Sequence, residues 1–491
     1  MSIPSVDEIE FLSRPSGKAE GKHHIIVVGA GIIGVCTAFY LTRHPRFDPS
    51  THHITLLESK RVAGGASGKA GGLLATWAFP QQIVPLSFQL HQDLSDEFDG
   101  ENQWDYRRLT TVSLEADVQN VGHQTHPSTR KGYNLRVAPP KKKSRCDSTD
   151  SLESSVATGS EADDERENEF SEMTEQSSTE KELTDASSTD MKSEALQQEF
   201  NTEMEGSRKT TKLPVDLNWI KKELVRDWSS LGGTDSTAQV HPYKFTHFLL
   251  REAMNTGAVD LILGKVNEIK FDDVGCTSGV SYIPTTDDDD QEEQQPIEIL
   301  ASQQVVLAMG PWTSKILPDC PISGLRAHSI TIKPSTGTVS PYAIFTELKV
   351  DKNKYFSPEM YARKDEVYVC GEGDTLVELP ETSDAVEVVR EKCDELYHYV
   401  SKLSSNLSEG HILKRQACYL PVLNVPTSSG PLIGETNLEG LYVASGHSCW
   451  GINNAPATGK IVSELLLDGE ATSADISALD PGLYFDASVL E

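Results

Sequence analysis

The sequence has no long hydrophobic run. No stretch of 18 apolar residues occurs among its 491 positions, so we expect no helix that crosses a bilayer. The first 20 residues lack the apolar core of a signal peptide and are too acidic for a transit peptide. The last four residues, "SVLE", are not a peroxisomal signal.

Cysteine is scarce and unpaired. The eight cysteines are scattered along the chain without a CxxC pair, a distribution that predicts neither a zinc site nor a disulfide framework. Free cysteines are usual in a reducing compartment. The sequence therefore predicts no metal and a cytoplasmic location.

Positive charge is also scarce. The chain has 44 Lys and Arg against 74 Asp and Glu, a net charge of −30, which disfavours nucleic acid and anionic membranes as partners. Residues 150–206 hold 18 acidic and 3 basic residues, a net charge of −15, which is half of the total. This stretch is rich in Ser, Thr and Glu and poor in aromatic residues. We therefore predict a disordered acidic insert over 121–212.

A glycine-rich turn follows an apolar run near the start of the chain, in "HIIVVGAGIIGVCTAFYL" (24–41). The apolar run predicts a strand that is buried on both faces. Gly29 permits a tight turn, Gly31 lets the backbone approach a pyrophosphate, and Gly34 lets the following helix pack closely. That helix, predicted from about Ile32, would point its free amides at the phosphates.

The second predicted strand, "HHITLLES", ends at an acidic residue. Glu58 lies 24 residues beyond Gly34, near the spacing at which a carboxylate accepts hydrogen bonds from ribose hydroxyls. The same carboxylate would repel a 2′-phosphate, which argues against NADP. Alone, either feature could be a coincidental turn or a surface glutamate; in order, they predict a dinucleotide site.

A second glycine-rich loop, "SKRVAGGASGKAGGLLATW", begins directly after Glu58. So many glycines are needed where the backbone lies against something bulky, which favours FAD over NAD. Two later blocks repeat the strand and glycine turn, "VVLAMGPWTSKILP" (305–318) and "GLYVASGHSCWGINNAPATGKIVSELLLDG" (440–469). The helix of the last block, predicted from about Asn454, would stabilise negative charge on a reduced flavin.

These four blocks together resemble the FAD-dependent oxidoreductases of the D-amino-acid oxidase, glycine oxidase and sarcosine oxidase family. The resemblance covers about 22–120 and 213–480 and is greatest with a fungal branch, one member of which is implicated in traffic from late endosomes to the Golgi. It implies an α/β fold with a discontinuous Rossmann-type FAD-binding domain and an α+β, mixed-sheet substrate domain. The expected boundaries are 22–115, 213–320 and 413–480 for the FAD-binding domain, 321–412 for the substrate domain and 121–212 for the insert.

The residues expected to bind FAD come from these blocks and from the strand before residue 270. They are Gly29, Gly31, Ile32, Ile33, Gly34, Glu58, Ser59, Ala66, Ser67, Gly68, Gly71, Gly72, Val266, Gly310, Trp312, Gly446, His447, Gly451 and Ile452.

The resemblance implies hydride transfer from the carbon beside an amine to flavin N5, with dioxygen as the acceptor. In D-amino-acid and glycine oxidases an arginine before a "PLIG" segment binds the substrate carboxylate. Here "RQACYLPVLNVPTSSGPLIG" (415–434) has Leu420 at that place. Arg326, Arg363 or Arg415 could replace the missing arginine, although each is also typical of an ordinary strand-edge or surface charge.

Two further side chains have alternative interpretations. Cys418 falls near the position at which sarcosine oxidases bond flavin covalently, but it could equally be a small buried hydrophobe. His447 could bond a flavin carbonyl, transfer a proton or brace its loop. The catalytic candidates are therefore His447, Arg326 and Arg363.

Two functions from different classes remain open. The first is an FAD-dependent oxidoreductase that acts on a small, unidentified amine or amino-acid-like CH–NH substrate. The second is a flavoprotein with a structural FAD that works through its acidic insert with a trafficking partner, at late endosomes. An NAD-linked dehydrogenase is disfavoured by the second glycine-rich loop and the C-terminal block.

Overall fold

The computed structural model describes residues 9–121, 212–285, 295–300, 304–428 and 430–490. The acidic insert predicted for 121–212 falls outside the described residues between 122 and 211.

Helices and strands alternate irregularly along the described part of the chain. The helices are α1 (Ile32–Thr42), α2 (Ala66–Lys69), α3 (Val84–Phe98), α4 (Gly100–Gln103), α5 (Pro242–Asn255), α6 (Thr313–Ile316), α7 (Arg390–Leu403), α8 (Ser405–Ser408) and α9 (Gly451–Asp468). The strands are β1 (His23–Val28), β2 (His52–Glu58), β3 (Leu73–Ala75), β4 (Arg107–Arg108), β5 (Thr110–Asp117), β6 (Val225–Gly232), β7 (Thr237–Gln239), β8 (Val259–Phe271), β9 (Thr277–Pro284), β10 (Ile297–Leu300), β11 (Gln304–Leu307), β12 (Ile322–Lys333), β13 (Tyr342–Asp351), β14 (Lys354–Phe356), β15 (Glu359–Ala362), β16 (Val367–Asp374), β17 (His411–Leu423), β18 (Leu432–Glu435) and β19 (Leu441–Ser445).

The first sheet has the order β10-β9-β8-β2-β1-β11-β19-β18, with parallel pairing from β8 through β19. Side chains of β1 alternate between two cores: Ile25 and Val27 face the helices α1, α5 and α9, whereas Ile26 and Val28 face the opposite side. The apolar run predicted as a doubly buried strand is therefore confirmed. Since β2 and β11 flank β1, the carboxyl ends of these strands meet at one edge, where ligands bind in such sheets.

The second sheet has the order β17-β12-β16-β15-β13-β5-β6, and β14 pairs with β13. Helices α7 and α8 cover one face, where Met360 and Ala362 are buried. The opposite face carries Tyr361 and Tyr368, which pack in one cluster with Leu73 of β3. A small sheet, β3-β7-β4, completes the described fold, which is the mixed α/β fold class expected from the sequence.

The second sheet recruits strands from stretches assigned by sequence to the FAD-binding domain. β17 lies in 413–480 for most of its length yet pairs with β12 along the whole of both strands. β5 and β6 pair with each other, and β5 also pairs with β13. The difference arises because a hydrophobic pattern identifies a strand but does not say which sheet the strand joins.

The predicted helices and strands agree with the structure within single segments of the chain. The predicted amphipathic helix, glycine stop and strand of 241–269 are observed as α5, Gly257 with φ of +75°, and β8. The last helix begins at Gly451, earlier than the predicted Asn454. That prediction places Pro456 in the first turn, where its missing N–H is harmless; in the structure Pro456 lies inside α9.

Candidate functional site

A cleft of about 330 Å³ opens where the carboxyl ends of β1, β2, β11 and β19 meet. Its walls are built mainly from the four sequence blocks described above. The predicted residues that line the cleft are Gly29, Gly31, Ile32, Ile33, Glu58, Ser59, Ala66, Ser67, Val266, Gly310, Trp312, His447, Gly451 and Ile452.

The first glycine turn leaves no room for side chains at two of its positions. Gly29 has φ of +105°, and a Cβ there would lie 2.4 Å from the Ala308 carbonyl oxygen. A Cβ on Gly34 would lie 2.0 Å from the Gly29 oxygen, so Gly34 lets α1 approach β1. Gly31 instead faces the cleft, where the nearest atom to a Cβ would be Ser67 Oγ at 3.1 Å.

The N-terminus of α1 points into the cleft. Gly31 precedes the helix, and its carbonyl accepts the hydrogen bond from Val35 N. The Ile32 amide donates to Ser67 Oγ at 2.9 Å, so the second glycine-rich loop is tied to the helix start. Free amides and the positive end of the helix dipole make this position suitable for a phosphate.

Glu58 ends β2 at the edge of the same cleft. Its Oε2 accepts a hydrogen bond from the Ala30 amide at 3.0 Å, and its Oε1 accepts from the Lys60 amide and the Ser59 hydroxyl, both at 3.1 Å. Burial raises the pKa of Glu58, and the hydrogen bonds from Lys60 and Ala30 oppose that shift. The anchored carboxyl group is placed to accept further hydrogen bonds from a ribose.

Five predicted cofactor glycines do not line the cleft: Gly34, Gly68, Gly71, Gly72 and Gly446. Gly34 packs against the first glycine turn, as described above, and three of the others are also required by close packing within the protein. A Cβ would lie 2.2 Å from the Ala63 oxygen at Gly68, from the Tyr361 ring at Gly71 and from the Val240 oxygen at Gly72. In sequence, a glycine required by protein packing looks the same as one required by a ligand.

Residues 380–383, here called the strap, reach the cleft from between β16 and α7. Glu381 pairs with Lys265 at 2.6 Å and with Lys315 at 2.9 Å, and these pairs lower its pKa to about 2. The Trp312 indole donates to the Pro380 oxygen at 2.7 Å. Sequence reasoning missed the strap because its residues carry no glycine or strand signal and bind through charges on distant elements.

His447 is buried beside the start of α9. Its Nε2 lies 3.0 Å from Thr458 Oγ1, and that hydroxyl donates to the Asn454 carbonyl at 3.0 Å. Nε2 therefore carries the hydrogen. Burial lowers the pKa of His447 to about 3, so the imidazole is neutral at physiological pH and braces its loop.

The three candidate arginines lie away from the cleft lining. Arg326 pairs with Asp374 at 3.0 Å and Glu387 at 2.8 Å. Arg363 donates to the Ala70 and Gly71 carbonyls and pairs with Glu366 at 2.6 Å; Arg415 pairs with Asp394 at 2.6 Å. Each guanidinium is thus committed to protein partners, whereas Leu420, at the family's arginine position, does line the cleft.

Cys418 is buried in β17 and is not among the residues that line the cleft. Burial raises its pKa to about 11, against the influence of Lys69, so its thiol is protonated and weakly nucleophilic at neutral pH. Lys69, which sequence reasoning missed, donates to the Ala417 oxygen at 2.9 Å, and burial lowers its pKa.

The residues that are present fit a dinucleotide. Gly310 lines the cleft with φ of +57°, and a Cβ placed on it would meet no atom within 4 Å. Ser383 Oγ, in the strap, is buried and has no hydrogen-bond partner among the described residues. An open backbone cradle, an unpaired hydroxyl, a helix N-terminus and an acidic ribose ligand together suit FAD.

Two other classes of site are absent from the described residues. They contain no group of three His, Cys, Asp or Glu side chains that could hold a metal ion. No helix among them combines the length and hydrophobicity that a membrane span needs.

Comparison with known proteins identifies close relatives and a shared fold. The chain matches the family described as "DAO: FAD dependent oxidoreductase" over residues 24–166 and 168–465. It is 61% identical over 513 residues to "Putative oxidoreductase TDA3" of Saccharomyces cerevisiae, with 98% of each chain covered.

Solved structures with the same fold are more distant in sequence. L-proline dehydrogenase from P. horikoshii has a TM-score of 0.58 at 17% identity, covering 94% of this chain and 97% of its own. Glycine oxidase from Geobacillus kaustophilus has a TM-score of 0.57 at 15% identity, covering 94% and 98%.

Proposed function

The chain belongs to the DAO family of FAD-dependent oxidoreductases, and from that membership we propose that it oxidises a small amine at a CH–NH bond. The observation that carries this proposal is the cleft, whose lining joins the N-terminus of α1 and the Glu58 carboxyl group to the N-terminus of α9. FAD is the cofactor of the family, and when bound it accepts a hydride and passes electrons to dioxygen.

The protein's own part is to hold and polarise the cofactor. Gly31 and the α1 amides would bind the pyrophosphate, and Glu58 would bind the ribose. Gly451 and Ile452 start α9 and line the cleft. The positive end of that helix would stabilise negative charge that develops on a reduced flavin.

The donor class is inferred from two considerations. L-proline dehydrogenase and glycine oxidase, which share the fold, are named for amino-acid substrates. Leu420 replaces the arginine that the family resemblance implies as carboxylate ligand, and the other candidate arginines are paired within the protein. We therefore favour an amine donor.

Anaerobic flavin reduction tests the proposal directly. The purified full-length protein should show a flavin absorption band near ~450 nm, and a suitable amine should bleach it without oxygen. Readmitted oxygen should restore the band with one equivalent of hydrogen peroxide. A bound flavin that no D-amino acid, sarcosine, proline analogue or simple amine reduces would contradict the proposed activity.

A second candidate function is favoured by the missing arginine. In this alternative FAD is structural and the acidic stretch 150–206 binds a protein partner involved in endosomal traffic. Deletion of 150–206 distinguishes the two functions. An amine oxidase should keep flavin content and turnover after the deletion, whereas an interaction protein should keep flavin and lose its partner.

A further inference from the structure

One face of the second sheet carries a carboxylate among aromatic rings. Along β15, Met360 and Ala362 point into the core beneath the helices, so Glu359 and Tyr361 occupy the opposite face. Glu359 is directly paired in register with Phe345 of β13 on one side and with Cys370 of β16 on the other. The acid therefore lies in the middle of the sheet, not at its edge.

Two aromatic side chains adjoin Glu359, since Phe345 is its register partner and the Tyr361 hydroxyl donates to it, and two tryptophans extend the aromatic cluster. Trp77 lies 6.2 Å from Phe345 and 5.3 Å from Trp450, and Phe345 lies 6.1 Å from Tyr361, measured between ring centroids. The rings of Trp77 and Phe345, and those of Trp77 and Trp450, meet edge to face, and the rings of Phe345 and Tyr361 are tilted. We call the group formed by Glu359 and the linked rings of Trp77, Phe345, Tyr361 and Trp450 the amine pocket.

The amine pocket adjoins the cofactor cleft. Trp450 immediately precedes Gly451, and Cys449 precedes Trp450; both Cys449 and Gly451 line the cleft. Cys449 keeps exposed surface on the cleft; loss of hydration raises the pKa of its thiol, and the charge of Glu359 adds to that shift. A molecule held against Glu359 would thus lie next to the end of the cleft at which α9 begins.

Glu359 has no positive partner in the described part of the chain. Its Oε2 accepts hydrogen bonds from the Tyr361 hydroxyl and, at 3.7 Å, from the Cys370 thiol. Burial raises the pKa of Glu359, and none of the groups that act on it is a Lys, Arg or His. Glu359 is half-buried and keeps accessible surface, so a ligand can reach it.

A cation supplied from outside would complete this arrangement. A buried carboxylate without a counter-ion is unfavourable, and an ammonium group would remove that penalty while gaining from the faces and edges of the nearby rings. A carboxylate ligand would be repelled by Glu359. It would also find Arg326 and Arg363 already paired.

We propose that the amine pocket binds the protonated amino group of a substrate that carries no carboxylate, so that the substrate class is a cationic alkyl- or arylamine. This inference rests on the proposed amine oxidation and narrows its substrate. It makes Glu359 a substrate-binding residue.

Three isosteric probes test the pocket by binding alone. Benzylamine is a cation, benzyl alcohol is neutral and benzoate is an anion, and each is titrated calorimetrically into the full-length, FAD-loaded protein at neutral pH. Benzylamine should bind more tightly than benzyl alcohol, and benzoate should bind least. Glu359→Gln should weaken benzylamine by ~10-fold or more and leave benzyl alcohol unchanged.

The neighbouring strand offers a matched control. Glu347 is exposed on β13, and Glu347→Gln should leave all three affinities as in the wild type. Flavin absorbance and melting temperature show whether Glu359→Gln is folded. Glu359→Asp keeps the charge but shortens the side chain, so it should retain part of the preference for benzylamine over benzyl alcohol.

Two results would overturn the pocket. One is a wild-type protein that binds benzoate at least as tightly as benzylamine, a comparison that needs no variant. The other is a folded Glu359→Gln protein with unchanged benzylamine affinity.

If Glu359 controls benzylamine binding while no amine reduces the flavin, the proposed oxidation fails and the pocket stands. If amino acids reduce the flavin and benzylamine does not compete, the pocket fails and the oxidation stands.

Discussion

At the scale of single residues, a histidine supplies a hydrogen bond that a proline removes from α9. Pro456 has no N–H, so it cannot pair with the Ile452 carbonyl one turn earlier. His91 of α3 lies with Nε2 at 2.9 Å from that carbonyl oxygen. Because a carbonyl only accepts, Nε2 carries the hydrogen. His91 thus holds the helix start that also lines the cofactor cleft.

We predict that His91→Leu destabilises the protein by about 1–3 kcal/mol, the usual effect of leaving a buried carbonyl unpaired. Urea unfolding at constant FAD concentration measures this change. His411 is exposed on β17, and His411→Leu is the control that should have little effect. An unchanged midpoint for His91→Leu would contradict this role.

Buried histidines also make the protein sensitive to acid. Burial lowers the pKa of His447 to about 3 and that of His91 to about 4, whereas unfolded histidine titrates near ~6.5. Between these values the unfolded chain binds more protons than the folded protein. Stability is therefore fully present above the unfolded pKa and is lost as the pH falls toward the folded values.

We predict that His447→Gln flattens the decline of stability between about pH 6.5 and pH 3, because each such histidine contributes a slope of up to ~1.4 kcal/mol per pH unit. Melting temperatures measured across this range, at fixed ionic strength, provide the test. His411→Gln is the matched control. Parallel curves for His447→Gln and the wild type would show that His447 does not titrate in this way.

At the scale of elements, the strap ties two parts of the fold together across the cleft. Glu381 reaches Lys265 of β8 and Lys315 of α6, and Trp312 holds Pro380. All of these except Pro380 line the cleft. Opening of the strap would therefore expose bound cofactor to solvent.

We predict that Glu381→Ala speeds FAD release by about 2- to 5-fold, since exposed ion pairs are individually weak. Stopped-flow recovery of flavin fluorescence after dilution measures the rate. Glu268, which pairs with Lys270 at 2.7 Å and does not line the cleft, gives the control Glu268→Ala. High salt should raise the wild-type rate toward that of Glu381→Ala, and equal rates at low salt would contradict the role of the strap.

At the scale of the whole molecule, the cofactor cleft is lined from both large sheets. β1, β2, β8 and β19 of the first sheet contribute to it, and so does Leu420 of β17 in the second sheet. A ligand that contacts both should stabilise them as one unit.

We predict that removal of FAD lowers the stability of the entire described fold rather than of one part. At a free FAD concentration 100 times the dissociation constant, the stabilisation should be about 2.7 kcal/mol. Calorimetric melting with and without FAD tests this, with ADP as a control that fills only part of the cleft. A melting temperature independent of FAD concentration would contradict a cofactor site that both large sheets form.

The cofactor half of the protein was predictable from local sequence. The fold class, the family and FAD are confirmed. They were predictable because the glycine turn, the acid at Glu58 and the strands before them obey steric and hydrogen-bonding rules that act within one βαβ unit. The same locality explains why some predicted glycines do not line the cleft. Gly68, Gly71 and Gly72 pack against Ala63, Tyr361 and Val240, which no local pattern identifies as neighbours.

The sequence by itself thus determined the fold class, the family and the cofactor, since the motifs that indicate them depend on residues close in the chain. The tertiary structure alone decided that β17 joins the second sheet, that the candidate arginines are paired, and that Glu359 acts on Cys449 at the cleft. The physical reason is that sheet pairing and ion pairing join groups far apart in sequence, whose meeting depends on the packing of the entire chain.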